Sequence, residues 1–390
     1  MTPNDPQRPR LGYSRRHVLR TGAQLGLGVP LAAYLLSACG GSDSSAPAST
    51  AATQAATAAA VAAAYGATDV SGTATLQNYA GWMGKNNIRD FVAAYPNANV
   101  KQIAADQLSS AATTQTLKNN PGAFDFVLGD LAFVGQGFAA GILQDPDFAH
   151  IPNITNVDEK FRTAFSHGVP TDYGKVGIGY RKDLISEPIT SWADFWKLAP
   201  KYSGKVVILD YDRDSLGSAL RYKGFSGNTK DPAELEQAKQ ALIELKPHLL
   251  AIKGYDVGTE LIKGNAAMVM DWDYDVALAQ AENKNIEWVL PDEGAMAYLE
   301  GWLTIKGSPH TDVATAFMNY FLEPKQYADF VNATGTAYVM AAATPFIDKS
   351  ISQNAALVVD PATLKNVEFE EFLGEVSALY NKAWDEFKSS

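Results

Sequence analysis

The stretch 73–128 constrains the fold more than any other. Residues 73–79 alternate as a strand does. Residues 86–95 place Ile88, Phe91, Val92 and Tyr95 at the i, i+3, i+4, i+7 spacing of an amphipathic helix, and Pro96-Asn97 stops it. Residues 99–103 predict a second strand. Residues 107–118 predict a helix, ended by Asn119-Asn120-Pro121-Gly122. The apolar run 124–128 predicts a strand covered on both faces. Strand, helix, strand, helix, strand in so short a span implies a parallel sheet, because parallel neighbours need a crossover and each helix supplies one.

A second set of the same kind follows. Ser191 caps a helix carrying Trp192, Phe195 and Trp196, with Asp194 at its third position, a variant of the capping box. Residues 205–209 and 266–270 read as buried strands. Asp231 followed by Pro232 opens another helix, with Glu234 suited to its positive end. Residues 311–322, 327–334 and 369–388 read as helical. There is no internal repeat and no second linker, so the two α/β units are expected to share strands or crossovers.

Hydrophobic residues make up 46% of the 390, enough to bury a core of this kind. The 32 Lys and Arg against 43 Asp and Glu give a net charge of -11, which argues against a nucleic-acid-binding face and favours cationic partners. The one cysteine excludes a disulfide framework and any multi-cysteine zinc site.

That cysteine ends an address. Ser14-Arg15-Arg16-His17-Val18-Leu19-Arg20 has the form of a twin-arginine export signal. The apolar stretch after it is broken by Pro30 and too short to span a membrane comfortably. It closes on Leu36-Ser37-Ala38-Cys39-Gly40, which resembles the lipobox of bacterial lipoproteins. There the thiol takes a diacylglycerol group and the chain is cut before it. Residues 1–38 are therefore expected to be a removable signal peptide. Cys39 is expected to be lipidated, and 39–69 a tether, with alanine at 12 of the 25 positions 40–64. Removing 1–38 takes away five arginines and Asp5 and leaves a formal charge of -15.

No catalytic signature survives. There is no phosphate-binding loop and no nucleophile elbow, and Gly177-Ile178-Gly179 lacks the third glycine of a dinucleotide fingerprint. His150, His167, His248 and His310 are scattered, without the spacing of a helical metal site. Two acidic runs, Asp210-Tyr211-Asp212-Arg213-Asp214 and Asp271-Trp272-Asp273-Tyr274-Asp275, begin like calcium loops. Both lack the glycine such a loop needs at its turn. Each run follows a buried strand directly, so it lies at the carboxyl edge of a sheet, where open α/β sheets bind ligands.

From about residue 73 onward the chain resembles the bacterial spermidine/putrescine-type substrate-binding proteins of ABC transporters. The resemblance rests on Thr190-Ser191-Trp192-Ala193-Asp194-Phe195-Trp196 and on Gly224-Phe225-Ser226-Gly227-Asn228-Thr229 with Asp231-Pro232. Glu293-Gly294 after Pro291, and Pro324 after the helix through Phe317 and Leu322, also match. The family implies the two-lobed periplasmic-binding-protein fold of type II. Each lobe is a mostly parallel sheet flanked by helices, and the ligand is clamped in the cleft between them. The division it implies is 70–178 plus 302–355 for one lobe and 179–301 for the other, with 356–390 packing across both.

Carried over by position, the resemblance implies Tyr79 and Trp82 as aromatics facing the ligand. The first lobe's Ser-x-Tyr loop becomes Asp130-Leu131-Ala132. An Asp and Glu pair becomes Tyr211 and Asp214, and a Trp-x-Asp unit becomes Tyr298-Leu299-Glu300. A tryptophan aligns with Met270, with Trp272 two residues on as the other candidate. A loop tyrosine becomes Thr336 and a late glutamine Glu370. Asp130, Asp214, Glu300 and Glu370 would anchor ammonium groups, which need carboxylates to replace their water. Tyr79, Trp82, Trp272 and Tyr298 would wall the methylenes, with cation–π attraction of about 1–2 kcal/mol. The expected function is capture of a polyamine-like cation and delivery to permease subunits by a membrane-anchored, exported monomer. No catalysis, cofactor, metal or nucleic acid is expected. The rival readings are ferric iron or another small solute in the same fold, and a surface enzyme or sensor that reuses it.

Overall fold

The computed structural model describes residues 63–105, 110–120, 122–358 and 366–390. The signal, Cys39 and most of the tether lie outside the described residues. Twelve strands are present among them. They are β1 (Gly72–Tyr79), β2 (Ala98–Ala105), β3 (Phe126–Asp130), β4 (Leu143–Gln144), β5 (Val169–Arg181), β6 (Val206–Leu209), β7 (Leu249–Lys253), β8 (Met268–Trp272), β9 (Ile286–Val289), β10 (Ala295–Ile305), β11 (Ala337–Tyr338) and β12 (Val367–Phe369).

The main path runs β2-β1-β3-β10-β5-β8-β6-β7. Each end is a parallel triad: β1 lies between β2 and β3, and β6 between β7 and β8. The middle is antiparallel, through β10 and β5. β5 serves both halves. Its residues 169–175 pair with β10, and its residues 176–181 with β8 and β9. This is the two-lobed α/β arrangement the resemblance implies, with antiparallel crossing strands added to parallel cores.

Two hydrophobic clusters match the two halves. One gathers Leu76, Phe91, Phe126, Trp302 and Phe317; the other Val176, Trp192, Phe195, Leu209 and Tyr380. The capping expected at Ser191 is present: its Oγ accepts from Asp194 N at 3.0 Å, and Asp194 Oδ2 accepts from Thr190 N at 3.0 Å. Asp231 caps Pro232–Leu245 in the same way.

The stretch 369–388, expected to be helical, is not one helix. Residues 367–369 form β12, added in parallel to β10, and the helix begins only at Ser377 (Ser377–Ser389). That helix packs on Pro232–Leu245 and Asp212–Tyr222, all in the second half. The strand predicted at 124–128 is shifted to 126–130, and the helix predicted at 327–334 starts at Pro324. No described helix is long and apolar enough to cross a membrane.

Candidate functional site

Carboxyl ends of strands from both halves converge on one place. β1 ends in Tyr79, and the chain turns through Gly81, at φ +77°, into Trp82. Trp82 N donates to Tyr79 O at 3.1 Å, and Asn78 Nδ2 donates to Trp82 O, so the turn is held from both sides. β3 ends in Asp130, whose Oδ1 accepts from Phe133 N at 2.6 Å and caps the helix Leu131–Ala139. Tyr211 immediately precedes the helix Asp212–Tyr222, and Asp214 lies in its first turn. Trp272 stands in the same position before the helix Asp273–Glu282. The acidic runs are thus helix starts, where negative charge meets the positive end of the helix dipole.

The runs divide in their roles. Asp214 joins the site. Asp210 pairs with Lys388 at 3.2 Å on the surface. Asp273 forms a fully buried ion pair with Lys175, and Asp271 is raised well above the usual carboxylate range by burial and by Asp275 beside it. Met270 is wholly buried and packs in the core, while Trp272, buried beside it, directs its indole N–H to Asp214.

Tyr298 and Glu300 lie two residues apart on β10, hence on one face. Glu300 sits opposite Asp130 of β3 on one side and Asp172 of β5 on the other. Three acids therefore stand abreast on neighbouring strands, an arrangement that like-charge repulsion disfavours. The Tyr79 hydroxyl hydrogen-bonds Glu300. Tyr298 packs against Gly174, where a Cβ would come within 2.4 Å of its ring. Glu370 follows β12, donates its N–H to Ala297 O at 2.9 Å, and hydrogen-bonds Asp214 through its side chain.

Each half also sets an indole N–H on a buried carboxyl. Trp82 Nε1 donates to Asp172 Oδ1 at 3.3 Å, and Trp272 Nε1 to Asp214 Oδ2 at 3.2 Å. Tyr274 lies between the two indoles, edge-on to Trp82 at 5.7 Å and stacked on Trp272 at 6.0 Å. Tyr211 meets Trp272 edge-on at 5.0 Å. These contacts and pairings join eight of the nine residues singled out by the sequence into one cluster, and Tyr298 lies on the same face of β10 as Glu300.

Sequence reasoning missed Asp172 and Tyr274. Asp172 is fully buried and carries no motif, whereas Tyr274 stood in view inside the second acidic run. Thr336 donates to Asp172 Oδ2 at 3.2 Å, so it supports the site rather than lining it as an aromatic would.

The electrostatics are those of an anion-rich enclosure. Burial pushes Asp172 and Asp214 up to about 7. Burial is also the main cause at Glu300, which is raised well above the usual carboxylate range, with Asp172 and Asp130 beside it adding to the shift. Glu370 is raised well above that range by burial and then by Asp214, and Asp130 is raised by burial against the Phe133 N–H it accepts. One guanidinium, Arg213, opposes this at Asp130, Asp214 and Glu370. It also donates to Glu371 O at 2.9 Å and lies 5.0 Å from the centre of the Tyr380 ring. Among the described residues no group of His, Cys, Asp and Glu is arranged to hold a metal ion.

Comparison with known proteins settles the family. Residues 86–358 match the sequence profile of the bacterial extracellular solute-binding proteins. The chain belongs to that family. Its members are substrate-binding parts of transporters that work outside the cytoplasm. The solute-binding protein is 26% identical over 274 residues to the spermidine/putrescine-binding periplasmic protein of Escherichia coli (strain K12), covering 69% of this chain and 78% of that one. It is 24% identical over 332 residues to the putrescine/agmatine-binding protein of Pseudomonas aeruginosa, covering 78% and 90%. Its fold matches the spermidine/putrescine ABC transporter substrate-binding protein of Streptococcus pneumoniae, with a TM-score of 0.73 at 22% identity, over 82% of this chain and 99% of that one. A lipoprotein of Treponema pallidum gives 0.72 at 22%, over 81% and 99%.

Proposed function

We propose that this solute-binding protein captures a polyamine-like cation between its lobes and hands it to the permease subunits of an ABC transporter. The observation that carries this reading is the convergence of Asp130, Asp172, Asp214, Glu300 and Glu370 on one enclosure, with the Arg213 guanidinium acting against the rise at Asp130, Asp214 and Glu370. Ionised carboxylates that have lost water need cations in return, and ammonium groups supply both charge and N–H donors. Trp82, Trp272, Tyr79 and Tyr298 offer faces and edges to methylenes and to ammonium alike. The Escherichia coli spermidine/putrescine-binding and Pseudomonas aeruginosa putrescine/agmatine-binding relatives point to the same ligand class.

The two lobes, 70–178 with 302–355 and 179–301, close on the ligand because only the closed form makes both sets of contacts. The reading includes residues 1–38 as a twin-arginine signal, lipidation at Cys39, and a tether that leaves a monomeric, membrane-anchored body in the periplasm or at the cell surface. The protein holds its ligand unchanged, and the transporter's partner subunits hydrolyse ATP.

Titration calorimetry against putrescine, spermidine and agmatine, with glutamate as an anionic control, tests the ligand class. Binding of at least one amine and none of glutamate is expected. Failure of every amine to bind overturns the reading. Labelling with a radioactive fatty acid, lost on Cys39→Ala, tests the anchor.

A further inference from the structure

We propose that Asp172 is a positioning residue of the ligand cleft: it fixes the Trp82 indole and adds a negative charge beneath Glu300 without touching the ligand. This rests on the cleft assigned above.

Three observations carry it. Asp172 exposes no surface, yet three donors converge on its carboxyl: Trp82 Nε1 at 3.3 Å, Thr171 Oγ1 at 2.8 Å and Thr336 Oγ1 at 3.2 Å. Donors directed at both oxygens are what an ionised carboxylate needs in a dry place. They come from three separate segments, the loop after β1, β5 itself and the loop before β11, so the carboxyl ties these together.

Next, the register sets Asp172 directly across from Glu300, which has Asp130 on its other side. An acid placed there opposes folding unless something else gains from it. A cation drawn to Glu300 and Asp130 also feels the third charge, and at a few ångströms in a poorly solvated place that attraction is large.

Last, Trp82 reaches out of the first lobe to meet Tyr274 of the second at 5.7 Å. An indole ring can turn about two side-chain bonds. A hydrogen bond on its N–H removes much of that freedom before the ligand arrives and lowers the cost of closing around it.

The test uses Asp172→Asn, which keeps an acceptor for the indole but removes the charge, and Asp172→Ala, which removes both. Two readouts separate the roles. The Trp82 indole N–H resonance, assigned by its loss in Trp82→Phe, is followed in ligand-free protein. Putrescine affinity is measured by calorimetry. The resonance should stay near its wild-type position in Asp172→Asn and move in Asp172→Ala. Affinity should fall about tenfold in Asp172→Asn, the worth of one charged interaction, and further in Asp172→Ala.

Thr336→Val removes one donor from Asp172 without altering Trp82, and should shift the same resonance if either Asp172 variant fails to fold. An unmoved resonance in Asp172→Ala, or in Thr336→Val where that variant stands in, overturns the positioning role. Affinity within twofold of wild type in Asp172→Asn overturns the charge role. Because the resonance is read without ligand, failure of putrescine to bind would count against the ligand class and not against this role.

Discussion

Lys175 Nζ lies 2.5 Å from Asp273 Oδ2, and neither side chain exposes any surface. Lys175 comes from β5 and Asp273 from the helix that begins beside Trp272. The pair therefore ties the strand shared by both halves to the element that carries one wall of the cleft. The ring of Tyr173 lies 4.6 Å from the same ammonium. Removing one partner leaves an uncompensated charge in the core, so Lys175→Met should cost about 3–5 kcal/mol in chemical denaturation. Lys175→Met combined with Asp273→Leu should cost clearly less than Lys175→Met alone. A single substitution that costs under about 1 kcal/mol would show that the pair holds nothing together.

The raised carboxyls give the ligand-free protein an unusual pH dependence. Asp172 and Asp214 sit near 7 when folded, against about 4 for an unfolded aspartate. The folded state therefore binds more protons between those values, and stability falls as pH rises through that window. A bound cation favours the ionised forms and acts the other way. In thermal scans the ligand-free midpoint should drop from pH 5 to pH 8, while the upward shift caused by putrescine should grow. A ligand-induced shift that is flat across this range would contradict the assignment of these acids to the site.

Glu300 holds the middle place in the row of three acids. Glu300→Gln keeps its shape and its hydrogen bond with Tyr79 but removes the charge. Putrescine should bind about ten- to a hundredfold more weakly, the range for loss of a charged hydrogen bond. Glutamate should remain unbound. Unchanged putrescine affinity in a folded Glu300→Gln protein would remove Glu300 from the site.

Gly174 gives a test of shape without charge. A Cβ there would lie 2.4 Å from the Tyr298 ring and 2.5 Å from its hydroxyl, so Gly174→Ala must displace that side chain. Overpacking of this kind costs about 1–3 kcal/mol. Amine affinity should fall together with stability. Adding Tyr298→Phe, which removes the hydroxyl, should recover part of the stability. If Gly174→Ala matches wild type in both measurements, Tyr298 is not held where the structure has it.

The parallel cores were legible because fully buried strands write themselves as apolar runs, as at 205–209, and because breakers such as Asn120-Pro121-Gly122 mark where helices stop. The crossing strands were not. β5 contains Asp172, Lys175 and three glycines, residues that strands usually avoid. It is nevertheless buried along most of its length, because Lys175 has Asp273 and Asp172 has its three donors. β12 was hidden for another reason: three residues have no period of their own, and only their pairing with β10 makes them a strand.

The site followed the same division. The two acidic runs were found because a strand end can be read from sequence, whereas Tyr79, Trp82, Asp130, Tyr298, Glu300 and Glu370 came from the resemblance, carried over by position. Asp172 was missed because its partners are brought to it by tertiary structure. Asp273 was visible as one acid in a run, but nothing in the run told it apart from Asp214.

The continuity of β5 has a mechanical consequence. Lys175 is paired into one sheet and Val176 into the other, so any change of angle between the sheets would have to pass through the peptide between them. Asp172 and Tyr173 ride on one arm of the lever and Ile178 on the other. A few degrees of twist at that point would displace whole side chains at the mouth of the cleft. Neither arm can be cut away as a free-standing fragment, since each would leave with half a strand.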